Sequence, residues 1–256
     1  EKRKAYPTDL KDKEWERLLP LIPLKRTKPD MMREYINAIL YVLRTGCSWR
    51  MLPHDFPNWS TVYDVFQKLN RRNTWQKINH ALRAEVRVAS DREAEPSVLI
   101  GTAISKDHGK GGARGFDGAK QIKGRKRHII VDTQGWLVAV KVHPANWQDK
   151  TGLSYVLRRV PLFDRWELLI LDGGYDSPAL VNQCLKTYGV RVEIVKRNPK
   201  QEGFEVLPKR WIVERTFAWL GKCRRLSKDY EYLPQTTENW YYIAMIHLML
   251  KRLSRN

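Results

Sequence analysis

The stretch KRHIIVDTQGWLVAVKVH, residues 126–143, decides the fold. Two runs rich in β-branched and apolar residues, Lys126–Asp132 and Trp136–His143, flank Asp132-Thr-Gln-Gly135. That is the signature of two antiparallel strands joined by a tight turn. Upstream, Val98–Ile104 is a further short β-rich run. Downstream, Trp166–Leu171 is continuously apolar, as in a strand covered on both faces. Val190–Val195 reads as a fifth strand. Helical segments are expected over Lys150–Val160, from a Ser177 cap to Tyr188, over Lys209–Leu226 and over Thr237–Leu253. Three strands, then alternating helix and strand, then helices, predict an α/β fold: a mixed sheet of the ribonuclease H type flanked by helices.

The region before residue 90 has a different period. Met32, Ile36, Ile39, Leu40 and Leu43 recur at helical spacing, and Gly46 closes the run. Thr8 or Asp9 is expected to cap a first helix through Leu19, Ser60 a third, and a fourth spans Trp75–Val88. The polar segment 90–96, SDREAEP, marks a boundary. Two domains are therefore expected, a small helical one over 1–90 and an α/β one over 91–256. Short helices with tight turns suit a helix-turn-helix DNA reader, in which Lys68, Arg71 and Arg72 touch phosphates. A plain helical bundle with solvated cations fits the same pattern.

The formal charge is +19, which favours a polyanionic partner. Three scattered cysteines without a CxxC pair argue against a disulfide framework or structural zinc and fit a reducing cytoplasm. No run reaches the ~20 apolar residues that span a bilayer, so no membrane partner is expected.

Chemistry concentrates at a few positions. Asp172 follows the apolar strand WELLIL and precedes Gly173-Gly174. Ligands of open α/β sheets sit at the carboxyl ends of strands, although Asp-Gly is also a common turn. Glu214 lies in WIVERTFAWL, where a carboxylate needs a metal or a partner, Arg210 being the nearest. Carboxylates so placed suit phosphodiester chemistry with two divalent ions. Lys120, Lys123, Arg125, Lys126 and Arg127 put five cations in eight positions. Arg215, Lys222, Arg224, Arg225 and Lys228 form a second group. Both suit a phosphate backbone, or charged solvated surface. Trp211, Trp219 and Trp240 fit base stacking or, at helical spacing, a core.

At these residues the chain resembles bacterial insertion-sequence transposases of the DDE class, insertion-sequence family five type. The resemblance covers nearly the whole chain. It rests on TGCSWRMLPHDFPNWSTVYDVFQKLNRRNTW (45–75), GARGFDGAKQIKGRKRHIIVDT (112–133), LDGGYDS (171–177), IVKRNPKQEGFEVLPKRWIVERTFAWLGKCRRLSKDYE (194–231) and YYIAMIHLMLKRL (241–253). It implies a ribonuclease H-like catalytic domain, Mg²⁺ or Mn²⁺, and cleavage and transfer of double-stranded DNA at element ends by a homodimer. It implies a nucleoid-associated location in a bacterial cytoplasm. By its motifs Asp172 corresponds to the second acidic residue and Glu214 to the third, both metal ligands. Arg210 matches the basic residue before that Glu, and Lys222 is the nearest cation to the downstream one. Where the family's first strand reads Ile-Asp-Ser, this chain reads Ile100-Gly101-Thr102, so the first acidic residue is missing at Gly101. Asp107, Asp117 and Asp132 are the nearby carboxylates, with Asp107 the first candidate to substitute. Two readings stay open: a DDE-class transposase, or a catalytically impaired or domesticated relative that binds DNA without cutting it. An RNA-binding basic protein shares the charge but leaves Asp172 and Glu214 unexplained.

Overall fold

The computed structural model describes residues 3–109, 111–196 and 209–255. Part of the resemblance, residues 197–208, lies outside them. The chain divides into two compact units. The first comprises Glu1–Ser90, Leu220–Lys228 and Asn239–Asn256; the second comprises Asp91–Trp219 and Asp229–Glu238. A single break near residue 90 was expected, whereas two C-terminal pieces join the N-terminal helices.

In the first unit, helix α1 is Asp12–Leu18, α2 Pro29–Thr45, α3 Trp59–Arg71 and α4 Thr74–Val88. Helix α2 buries Met32, Ile36, Ile39, Leu40 and Leu43, the stripe its spacing predicts. It stops at Gly46, whose φ of 73° is the left-handed conformation that glycine adopts without a Cβ penalty. The cap of α3 is Asn58 rather than Ser60: its Oδ1 accepts from the Ser60 backbone N–H at 2.9 Å. Trp240 is fully buried and stacks on Phe66, with ring centroids 4.6 Å apart. It is therefore a core residue and not a base-stacking one. Lys68, Arg71 and Arg72, at the end of α3, are exposed.

The second unit is built on a mixed sheet. Its strands are β1 (Val98–Asp107), β2 (Gly115–Asp117), β3 (Ile122–Asp132), β4 (Leu137–Pro144), β5 (Leu168–Asp172) and β6 (Arg191–Val195). The order is β2-β3-β1-β5-β6, with β4 also on β3. Strands β1, β3 and β4 run antiparallel, and β5 and β6 then add in parallel to β1. That is the ribonuclease H-type mixed sheet the strand pattern predicts. Helix α5 (Asp149–Leu157) and helix α6 (Pro178–Tyr188) supply Leu153, Val156, Leu157, Leu180 and Cys184 to one core. The sheet supplies Leu99, Ile130, Val138, Leu169 and Leu171 to the same core. Helix α7 (Arg210–Gly221) is tied to the β3–β4 turn, where Thr216 Oγ1 donates to the Gly135 carbonyl at 2.8 Å. Helix α8 is Pro234–Leu253.

Strand β2 was not expected. Gly115–Asp117 pairs with Ile122–Gly124. Gly124 permits close contact between strands: a Cβ there would lie 2.0 Å from the Lys106 carbonyl oxygen.

Candidate active site and cationic segments

Strand alternation fixes what each residue near Asp172 can reach. In the parallel pair β1–β5, Gly101 lies opposite Leu171. Leu99 and Leu171 belong to the apolar core, and Ala103 packs against it. Position 101 shares that face, and a Cβ on Gly101 would sit 2.7 Å from Leu171 Cδ2 and 2.8 Å from Ile130 Cδ1. Thr102 and Asp172 lie on the opposite face. The Thr102 hydroxyl donates to Asp172 Oδ2 at 2.8 Å. Asp172 Oδ1 accepts from the Gly174 backbone N–H at 3.0 Å. Both carboxylate oxygens therefore have a partner.

Arg210 and Val213 of α7 line one cleft with Gly101, Thr102 and Asp172. Glu214 does not line it. Its side chain is 57% exposed, and Arg210 Nε contacts its Oε1 at 3.2 Å, one helical turn away. The sequence left two partners open for Glu214, a metal or Arg210, and the structure pairs it with Arg210. Lys222 is exposed and belongs to the first unit, where its backbone carbonyl accepts from Arg44 Nη1 at 2.5 Å.

None of the three substitute carboxylates shares this site. Asp107 lies five residues along β1 from Thr102, roughly 17 Å at the usual strand rise. Asp117 is buried and accepts from Ser105 Oγ at 2.5 Å. Asp132 is fully buried and caps the β3–β4 turn, accepting from the Gln134 and Trp136 N–H groups at 2.9 Å each. The carboxylate that does approach Asp172 is one the sequence reading missed, Asp149. A Cβ on Gly174 would be 3.1 Å from Asp172 Oδ1 and 3.3 Å from Asp149 Oδ2, so the two acids flank that glycine. Burial, reinforced by the Asp149 and Asp172 charges, holds the Tyr175 hydroxyl well above its ordinary range. Asp149 is nevertheless neutralised, since Lys126 Nζ lies 2.7 Å from its Oδ1. A divalent ion needs carboxylate oxygens free to face it together. Among the described residues no cluster of three or more acids, histidines or cysteines can hold a metal ion. The donors around Asp172 do not fit a pair of divalent ions.

The cationic run does not form one surface. Lys120 and Lys123 are exposed. Arg125 and Arg127 are fully buried. Arg125 donates to Asp229 Oδ1 at 3.2 Å and to the Glu231 and Tyr232 carbonyls at 2.7 Å each. Arg127 Nη2 lies 3.7 Å from Asp229 Oδ2. Lys126 points to the other face, against Asp149 and the Trp147 carbonyl. The phosphate-binding role expected of Arg125, Lys126 and Arg127 is thus corrected. They are strand residues of a sheet covered on both sides, and each is paired with an acid distant in sequence. Arg215 is likewise engaged: its guanidinium lies 4.5 Å from the Trp211 ring and 4.6 Å from the Trp219 ring, and donates to the Gln134 carbonyl at 2.7 Å. Arg225 donates to the Cys47 carbonyl at 3.2 Å, whereas Arg224 is exposed.

A second buried cluster lies under α5. His128 and His143 stack at 4.8 Å, and His128 Nδ1 shares a hydrogen with the Tyr175 hydroxyl at 2.8 Å. Burial pushes both imidazoles below their ordinary range. A Cβ on Gly152 would meet His128 Nε2 at 2.2 Å and His143 Nε2 at 2.4 Å, so only glycine fits that turn of α5.

Comparison with known proteins agrees with the fold and the motifs. Residues 10–79 match the model of a putative transposase of the IS4/5 family. A putative transposase for insertion sequence element IS402 from Burkholderia cepacia is 33% identical over 116 residues, covering 42% of this chain and 54% of the relative. The alignment thus spans about half of that relative's length. No helix among the described residues is long and apolar enough to cross a membrane. The transposase DDE domain model matches residues 91–249, more than half of the chain, and the chain belongs to that family of insertion-element transposases.

Proposed function

We propose that this chain is a transposase-family protein that binds double-stranded DNA at element ends, and that its Asp172 face does not assemble the divalent-ion pair needed to cut it. The supporting observation is the state of Asp172. One oxygen is held by the Thr102 hydroxyl and the other by the Gly174 N–H, while Glu214 and Asp149 are each neutralised by a cation. DNA contact falls to the exposed cations: Lys68, Arg71 and Arg72 at the end of α3, Lys120 and Lys123 beside β2, and Arg224. Mg²⁺ or Mn²⁺ is the cofactor of a competent member of this class, and a homodimer is the assembly that would hold two ends together.

The test has two arms. Fluorescence anisotropy with a duplex carrying the element's own terminal repeat, against a scrambled duplex and bulk RNA, reads binding across a salt series. Supercoiled plasmid carrying the ends, with Mg²⁺ or Mn²⁺, reads cutting. Preference for the repeat with no nicked product is the expected pair of results. Nicking that disappears in Asp172→Asn would refute the impairment. Equal affinity for RNA would refute the DNA assignment.

A further inference from the structure

We propose that Phe116, Tyr232, Lys120 and Lys123 form one surface that takes the unpaired bases of a DNA strand, a contact separate from duplex binding. This rests on the DNA-binding reading above. The tryptophans that suggest base stacking in the sequence are engaged elsewhere. Trp240 is buried, and Trp219 lies 5.6 Å from the Trp136 ring and 4.6 Å from the Arg215 guanidinium. Arg215 also covers Trp211 at 4.5 Å. Exposed rings beside cations occur instead at the β2 edge of the sheet. Phe116 is 52% exposed and Tyr232 71%. Phe116 on β2 lies directly opposite Lys123 on β3, and residues so paired project from the same face with Cβ atoms about 4.5–5.5 Å apart. Arg125, two residues beyond Lys123, shares that face and donates to the Tyr232 carbonyl at 2.7 Å. Tyr232 is thereby fastened to the face that carries Phe116. The loop before β2 packs on its ring: a Cβ on Gly111 would lie 3.3 Å from Tyr232 Cδ2. The neighbouring acid, Asp117, points to the other face and accepts from Ser105 Oγ at 2.5 Å. It also ties down the turn that carries Lys120, accepting from the Ala119 and Lys120 N–H groups at 3.2 Å each.

Charge and shape together select the occupant. Exposed rings flanked by ammonium groups complement a chain that carries negative phosphates and flat apolar faces, which describes a single nucleic-acid strand. In a duplex each base face is covered by the next base pair, so the rings can be filled only where a strand is unpaired. An apolar protein partner would have to bury the Lys123 ammonium beside Phe116 without an acid to meet it, which is costly. An unpaired strand meets both groups at once, with a phosphate on the lysine and a base on the ring.

The experiment compares two probes by fluorescence anisotropy with the full chain: a blunt duplex carrying the element's terminal repeat, and the same duplex extended by a single-stranded oligothymidine tail. The tail is expected to tighten binding about fivefold or more, the value of one stacked base. Phe116→Ala and Tyr232→Ala should each shrink that increment, with the salt slope unchanged because a ring releases no counterions. The blunt duplex, held through lysines and arginines, should be affected far less. Phe116→Trp should keep the increment. Iododeoxyuridine placed in the tail and irradiated should form adducts at Phe116 or Tyr232, mapped by peptide mass spectrometry, which tests the unmodified chain without relying on any variant's folding. Three results would overturn the proposal: no gain from the tail, a gain that survives both alanine variants, or adducts confined to other residues. Blunt-duplex affinity reads the DNA assignment by itself, so intact blunt binding with no tail increment sinks the stacking surface alone.

Discussion

Replacing Gly101 by aspartate is the substitution that motif alignment recommends for restoring a lost acid, and the structure predicts that it damages the fold. Its Cβ would lie 2.7 and 2.8 Å from Leu171 Cδ2 and Ile130 Cδ1, both of which belong to a closed core. Over-packing of this kind costs about 1–3 kcal/mol. The carboxyl then enters an apolar cluster, and an unpaired buried polar group costs about 1–3 kcal/mol more by protein mutational data. Each kcal/mol moves Tm by roughly 2–4 °C in a domain of 150–250 residues. A fall of about 5–20 °C by calorimetry is therefore expected. Gly101→Ala isolates the packing part and should lose less. Burial raises the folded-state pKa of the new acid above its unfolded value near 3.9. The protonated acid is the better tolerated form, so the penalty grows as pH rises above that value. The gap in Tm between variant and unmodified chain should be wider at pH 8 than at pH 5. A variant melting within about 2 °C of the unmodified chain at pH 8 would refute the strand register argued above.

Further predictions follow from the buried charges and histidines. Arg125→Ala should destabilise the chain by about 3–5 kcal/mol, since buried Asp229 loses its nearest cation and keeps Arg127 only at 3.7 Å; urea unfolding reads this. Lys123→Ala should leave stability unchanged and lower the salt slope of DNA binding by about 0.9, one phosphate contact; an unaltered slope would remove Lys123 from the interface. Gly152→Ala should cost about 2 kcal/mol or more, because the methyl meets His128 and His143; a neutral result would mean that the imidazoles can part. Burial lowers His80 to about 4 and His247 to about 3, so these groups remain neutral in the folded chain. Their contribution to stability is complete above the unfolded value near 6.5 and declines as pH falls from there towards 4 and 3. Melting at pH 7, 6 and 5 should show that decline, and His247→Gln should flatten it.

The hairpin and the apolar β5 were legible because a covered sheet demands continuous apolar runs, and the α2 stripe because a helix needs its 3.6-residue period. What failed did so for lack of tertiary information. The cations 125–127 look like a phosphate-binding loop when read locally. Their partners, Asp149 and Asp229, lie 23 and 104 residues from the cation each one meets. Asp149 was missed near Asp172 because it sits at the start of a helix rather than at a strand end. Gly101 departs from the family motif, yet alignment cannot show which way a strand residue faces. One signal was available: Leu99, Gly101 and Ala103 alternate with Ile100 and Thr102, and the only side-chain polar group among these five is on Thr102.

The interleaving of the two units has a mechanical consequence. The segment Asp229–Glu238 is fastened to the sheet at both ends, by Asp229 to Arg125 and by Glu238 to Lys141, Arg159 and the Val142 N–H. The stretches on either side of it belong to the helical unit, one of them carrying Trp240 onto Phe66. The backbone therefore passes between the units four times, after residues 90, 219, 228 and 238. A protease cutting after Ser90 would sever only one of those passages. The N-terminal helices would stay attached through a ring stack whose two halves, Phe66 and Trp240, lie on opposite sides of the cut, and expressing either side of that cut alone would leave an unfilled core.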